Sequence, residues 1–65
     1  MVRVCYVIKM VKRGYDAPVY EVERAYTGAD CYYNAINQAR QLNERNEGTW
    51  LHYFASQYLP EDFPA

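Results

Sequence analysis

His52 is the one imidazole in the chain, set within Trp50-Leu51-His52-Tyr53-Phe54. An imidazole can move protons near neutral pH. Standing alone among aromatics, this one reads as a structural or interface residue rather than a catalyst. Glu21 and Glu23 imitate a carboxylate pair, but on a strand they read as solvated cross-strand partners for Arg3 and Lys9. Cys31 falls at the start of a helical segment, a position that reactive cysteines use, yet no base stands near it. There is no nucleophile elbow, phosphate-cradling glycine loop or H-E-x-x-H. The single His and two separated cysteines, without a C-x-x-C, supply no metal-ligand set. The sequence therefore calls for no catalytic residue, no metal and no cofactor, and it reads as a non-enzyme.

Binding chemistry is better represented. Lys12, Arg13 and Tyr15 cluster in one connection, with Lys9 just before them. Basic side chains beside an aromatic can hold a phosphate and stack on a base or ring; the plainer reading is a solvated hairpin tip. Tyr33, Asn37 and Arg40 recur at helical spacing on a polar face. Tyr and Arg are enriched where interfaces concentrate their energy, although an ordinary wet face has the same look. These seven residues, Lys9, Lys12, Arg13, Tyr15, Tyr33, Asn37 and Arg40, are the candidate partner-binding set.

The elements that would position them follow from periodicity. Residues 2 to 11, VRVCYVIKMV, read as a strand. Val2, Val4, Tyr6, Ile8 and Met10 form its drier face and are expected to face the core; Arg3, Cys5, Val7, Lys9 and Val11 form the other. KRGYDAP, 12 to 18, is a connection. VYEVERAY, 19 to 26, returns as an edge strand, with Tyr20, Val22 and Tyr26 on one face and Val19, Glu21, Glu23 and Ala25 on the other. Thr27 and Asp30 resemble a capping box. From Asp30 to about Glu47 the chain is helical, with Tyr32, Ala35, Ile36, Ala39 and Leu42 as its apolar stripe, and Gly48 stops it. TWLHYFASQYLP, 49 to 60, supplies the last strand. Residues 60 to 65 read as a flexible tail.

The resulting chain is one α+β domain over residues 1–59, β-β-α-β. Chain direction places the three antiparallel strands in the order 2-1-3, with one helix packed on one face of the sheet. The last strand has two apolar sets. Leu51, Tyr53 and Ala55 are assigned to the helix side, and Trp50, His52 and Phe54 to the open side; a slip of one residue would exchange them. Val7, Val11, Trp50 and Phe54 then form an apolar patch on the uncovered face. Such a patch marks association, and a homodimer through two open sheet faces is its simplest form.

Composition limits the partners. The chain has 65 residues, 51% of them hydrophobic with tyrosine counted, and a net charge of −1. A domain of about this size buries only about 60% of the surface of its unfolded chain, so an external partner would help it. The balanced charge makes nucleic acid the lesser candidate, with Arg3, Lys9, Lys12 and Arg13 as the residues that would read its backbone. No apolar run approaches the roughly 20 residues that span a bilayer. Two cysteines are too few for a disulfide-built miniprotein, and they read as buried or half-buried thiols in a reducing cytosol. Tyrosine is the compositional anomaly, at eight residues; it supplies contact area with a polar tip and few rotors.

CYVIKMVK, VYEVERAYTGAD and NAINQARQLNERNEG in succession make a layout that resembles small accessory proteins of bacteriophages and mobile elements, some of them inhibitors of host machinery, anti-CRISPR proteins among them. The resemblance covers roughly residues 1–59 and lies in the pattern, without a diagnostic motif. It implies a cytoplasmic, non-enzymatic inhibitor that docks on a host protein or ribonucleoprotein complex. It assigns no functional residue.

Overall fold

A computed structural model describes residues 3–63; Val2 of the first expected strand face and Pro64 and Ala65 of the expected tail lie outside the described residues. The order is β1 (Val4–Val11), β2 (Val19–Thr27), α1 (Cys31–Arg45), β3 (Leu51–Ser56) and a single 3-10 turn, Pro60–Asp62. The sheet is antiparallel with order β2-β1-β3, as chain direction requires. The helix packs mainly over β1 and β3 and only grazes β2. The molecule is a slab of 41 by 28 by 13 Å.

The face of β1 is the reverse of the expected one. Cys5 and Val7 lie in the core cluster with Cys31, Ala35, Ala39 and Tyr53, and Val7 is fully buried. Val4, Tyr6, Ile8 and Met10 therefore belong to the opposite face. Counting apolar side chains misleads here, because both faces of β1 are covered by something. On β3 the expected division is the observed one: Leu51, Tyr53 and Ala55 pair with Val11, Lys9 and Val7 on the helix side. The proposed self-association patch consequently does not exist as one surface. Val7 and Val11 share the helix side of the sheet, Phe54 belongs to the other, and Trp50 precedes β3.

A β-bulge explains a second difference. Val7 pairs with Arg24 but Ile8 pairs with Val22, which leaves Glu23 as the extra residue. One inserted residue reverses the alternation beyond it. Tyr20 and Val22 thus take the face opposite Tyr26, and Tyr26 packs on the helix-side core. The Arg24 guanidinium sits 4.8 Å from the centre of the Tyr26 ring, on the same side of the strand.

The helix begins without the expected box. Thr27 ends β2, and Asp30 at the N-cap makes no side-chain bond. Gly28, at φ 99°, makes the turn instead, and its carbonyl accepts the Cys31 N–H at 3.2 Å. The buried stripe is Cys31, Ala35 and Ala39, with Leu42 partly buried. Tyr32 and Ile36, expected in that stripe, are exposed on its flank. Two alanines at the centre let the helix axis approach the sheet closely. The bulkier flanking residues do not fit between the layers.

The outer edge of β3 is closed by a side chain from that helix. Asn43 Nδ2 donates to the Tyr53 carbonyl at 2.8 Å, and the Tyr53 N–H donates to Asn43 Oδ1 at 2.7 Å. The carboxamide takes the place of a fourth strand's peptide group. Thr49 Oγ1 accepts the Leu51 N–H at 3.2 Å on the same strand. Unpaired edges invite pairing with other chains, and this one is partly satisfied.

The face away from the helix is covered in part by the chain's own end. The expected tail turns at Pro60–Asp62 and lays Phe63 against Tyr20 and Phe54, with ring centres 5.2 and 5.9 Å away. Tyr20 and Phe54 meet edge to face at 6.2 Å, and His52 stacks beside Phe54. Ile8, paired between Val22 and Phe54 on this face, has no exposed surface.

Two stability outcomes follow. Asn43→Ala leaves the Tyr53 peptide without its partner in a half-buried place, so chemical unfolding should show a loss of about 1–3 kcal/mol, against less than about 0.5 for the surface change Gln41→Ala. Phe63→Ala should lower stability by about 1–2 kcal/mol, since the ring contributes half-buried packing; an unchanged urea midpoint would mean that the chain end contributes no cover.

Candidate functional site

The hairpin end is built by β1 and β2 extending beyond the helix. Residues 12 to 17 are all exposed, and Tyr15 is completely so. Gly14, at φ 58°, provides the left-handed turn residue, and the Asp16 N–H closes the turn onto the Arg13 carbonyl at 3.1 Å. A tyrosine with no intramolecular cover presents its whole ring to solvent, flanked here by Lys12 and Arg13. Trp50 joins them. The Lys12 N–H points to the Trp50 carbonyl at 3.5 Å, and the indole-bearing residue is largely exposed. Trp50 was expected in the self-association patch; its true neighbour is the root of the hairpin. The pairing of β1 with β3 carries the signal that could have found it, because Trp50 directly precedes the strand that ends beside Val11.

Lys9 is not available in the same way. Its Nζ lies 3.1 Å from Glu21 Oε2 across β1 and β2, as the cross-strand reading expected. The hydrogen bond and charge of Glu21 raise the Lys9 ammonium above its ordinary value. Glu23, expected as a second partner, is the bulged residue. Arg3 is at the far end of β1, nine residues from Lys12, which is roughly 30 Å along an extended strand. The four cations Arg3, Lys9, Lys12 and Arg13 therefore do not form one continuous track.

The helix face is a separate surface. Tyr33 is well exposed, and the Arg40 guanidinium donates to Asn37 Oδ1 at 3.4 Å. Cys31 touches Cys5 and Asn43 touches Tyr53, which pairs with Lys9. The helix thus starts at the level of residue 5 and rises toward the hairpin without reaching it. Tyr33 lies at the opposite end of the molecule from Tyr15. Between α1 and β3, a groove of about 460 Å³ is lined by Ile36, Arg40, Glu44, Glu47, Tyr53 and Ala55 among others; its rim carries both charges.

Chemistry is sparse. His52 is exposed and stacked on Phe54, with no hydrogen-bond partner among the described residues that would orient it. No group of three or more His, Cys, Asp or Glu among the described residues is placed to hold a metal ion. No helix among them is long and apolar enough to cross a membrane.

The cysteines, far apart in sequence, meet. Cys31 Sγ donates to Cys5 Sγ at 3.0 Å, and each residue is 2% exposed. Burial pushes the Cys5 thiol up to about 11, helped by the hydrogen bond and charge of Cys31 and opposed by Arg3. Sequence spacing carries no sign of this contact, which depends on the helix start landing over β1. No protein-family model, curated protein or solved structure matches the chain.

The thiol pair has a pH consequence. The folded Cys5 holds its proton above the ordinary value of 9.0, so the unfolded state loses it first as pH rises. The stabilisation is whole below about pH 9 and is lost between there and about 11. Urea midpoints measured across that window should fall in the natural chain, and Cys5→Ala should show a shallower fall; parallel curves would contradict the assignment.

Proposed function

We propose that the protein is a non-enzymatic binding protein that docks on a larger host protein or ribonucleoprotein complex and modulates it. This is the mode of the phage-encoded accessory inhibitors that its layout resembles, anti-CRISPR proteins among them, and it would act in the host cytoplasm. The observation that carries the reading is the hairpin end, where Tyr15 and Trp50 are exposed beside Lys12 and Arg13. Trp, Tyr and Arg dominate interface energetics because each buries a large rigid surface with a polar or charged tip. A projecting turn reaches a concave target without strain in the sheet beneath it. The helix face, with Tyr33, Asn37 and Arg40, would serve as a second contact to the same or another partner.

Nucleic acid binding is the weaker alternative. Lys9 is engaged with Glu21, and Arg3 is remote from Lys12 and Arg13, so little basic surface is left to follow a phosphate backbone. A homodimer through the sheet loses its main argument, because Phe63 already lies on the aromatic group that a second copy would have covered.

A tagged chain should capture a defined host protein or complex, identified by mass spectrometry. The double change Lys12→Glu with Arg13→Glu, or Tyr15→Ala alone, should weaken that capture at least about 30-fold, the scale of an interface hot spot. Tyr33→Ala should weaken it less. Binding to generic DNA or RNA that collapses as salt is raised would favour the alternative. Undiminished capture by the hairpin variants would remove the hairpin end as the docking surface.

A further inference from the structure

We propose that Cys5 and Cys31 are a convertible dithiol, joined into a disulfide by exchange with a small anionic disulfide of the glutathione class that enters beside Arg3. Three independent features of the structure meet at this point.

The first is proximity. The two sulfurs are already at 3.0 Å, and a bond at about 2.05 Å needs only a small approach of the helix start toward β1. The second is access. A cleft of about 340 Å³ opens beside the pair, lined by Arg3, Tyr32, Gln57 and Tyr58 together with the two cysteines. Each cysteine is 2% exposed, and both form part of that cleft wall, which places the pair at a surface cleft rather than at the centre of the core. The third is charge. Arg3 is exposed at the cleft, and its charge offsets only a small part of the burial that holds the Cys5 thiol up. A cation there also attracts the carboxylates of an incoming glutathione disulfide.

The exchange balances in two steps. One cysteine, as thiolate, attacks the external disulfide; a mixed disulfide forms and one glutathione thiolate leaves, taking up a proton. The second cysteine gives up its proton and attacks the protein sulfur of the mixed disulfide. The Cys5–Cys31 bond forms and a second glutathione thiol departs. The protein has lost two electrons and two protons, and one external disulfide has become two thiols.

The consequence falls on β2. The bond closes a loop that contains the whole hairpin and β2, where every residue except Tyr26 is exposed. This is the least covered element of the fold, held to the rest mainly by its ladder with β1. Closing a loop of this length removes conformational freedom from the unfolded chain.

The test uses the natural chain equilibrated in glutathione buffers from fully reduced to fully oxidised, quenched with acid and read by intact mass and thiol alkylation. The expected product is a monomer lighter by two hydrogens with no alkylatable thiol. Its melting temperature should exceed that of the reduced chain by roughly 10–20 °C, and amide exchange across residues 12–26 should slow. Cys31→Ser should accumulate a single glutathionyl adduct and show neither change. Retention of two alkylatable thiols in the most oxidising buffer would overturn the proposal. So would glutathionylation without ring closure, or crosslinking only between chains.

Discussion

The close contact between the alanine stripe of α1 and the Cys5–Val7 face of β1 governs the rest of the molecule. Among the described residues, one helix of 15 residues is laid over one face of a three-stranded sheet. Its small residues, Cys31, Ala35 and Ala39, bring it down onto β1 and β3, where Val7 and Tyr53 fill the interface. A close seat over two strands leaves the third uncovered, and β2 is accordingly exposed along nearly its whole length. The projecting hairpin, the exposed aromatics near it and the loose attachment of β2 all derive from that geometry.

With one helix spent on one face, the other face must be covered by different means. The chain uses aromatic side chains from β2 and β3, and Phe63 brought back by the Pro60–Asp62 turn. Their combined cover is enough to bury Ile8 completely. The edges are handled by equally local devices. Asn43 satisfies both polar groups of the Tyr53 peptide, and the Glu23 bulge distorts the β2 edge beside charged neighbours. Among the described residues, single side chains take over what larger domains do with whole elements.

The least covered part of the fold is the hairpin end, where Tyr15 and Trp50 are exposed close to Lys12 and Arg13. The thiol pair lies at the other end of the slab, where the helix starts. The two regions are connected through β2, whose ends they occupy, so a covalent event at one can alter the order of the strand that carries the other.

Much of the architecture was legible in the residues themselves. Element order and strand order follow from periodicity, turn chemistry and chain direction, all of which act locally or through connection length; the helix, expected to run to about Glu47 and stop at Gly48, ends at Arg45, where the Asn46 side chain and backbone N–H both bond back to the Leu42 carbonyl. The inward set of β3, Leu51, Tyr53 and Ala55, followed from matching small helix residues with larger sheet residues. The inward face of β1 did not follow, because both of its faces are apolar and each finds a cover of its own. The Glu23 bulge reversed Tyr20 and Val22 with no residue type to announce it, and the helix stripe keeps Ala35, Ala39 and Leu42 as its spacing suggests but gains Cys31 and loses Tyr32 and Ile36. Local sequence determined which segments are strands and which is the helix, because backbone preference and period are properties of neighbours in the chain. Only the tertiary structure decided which face is the core, which aromatics stay exposed and that Cys5 meets Cys31, because those outcomes depend on how closely two distant segments can approach.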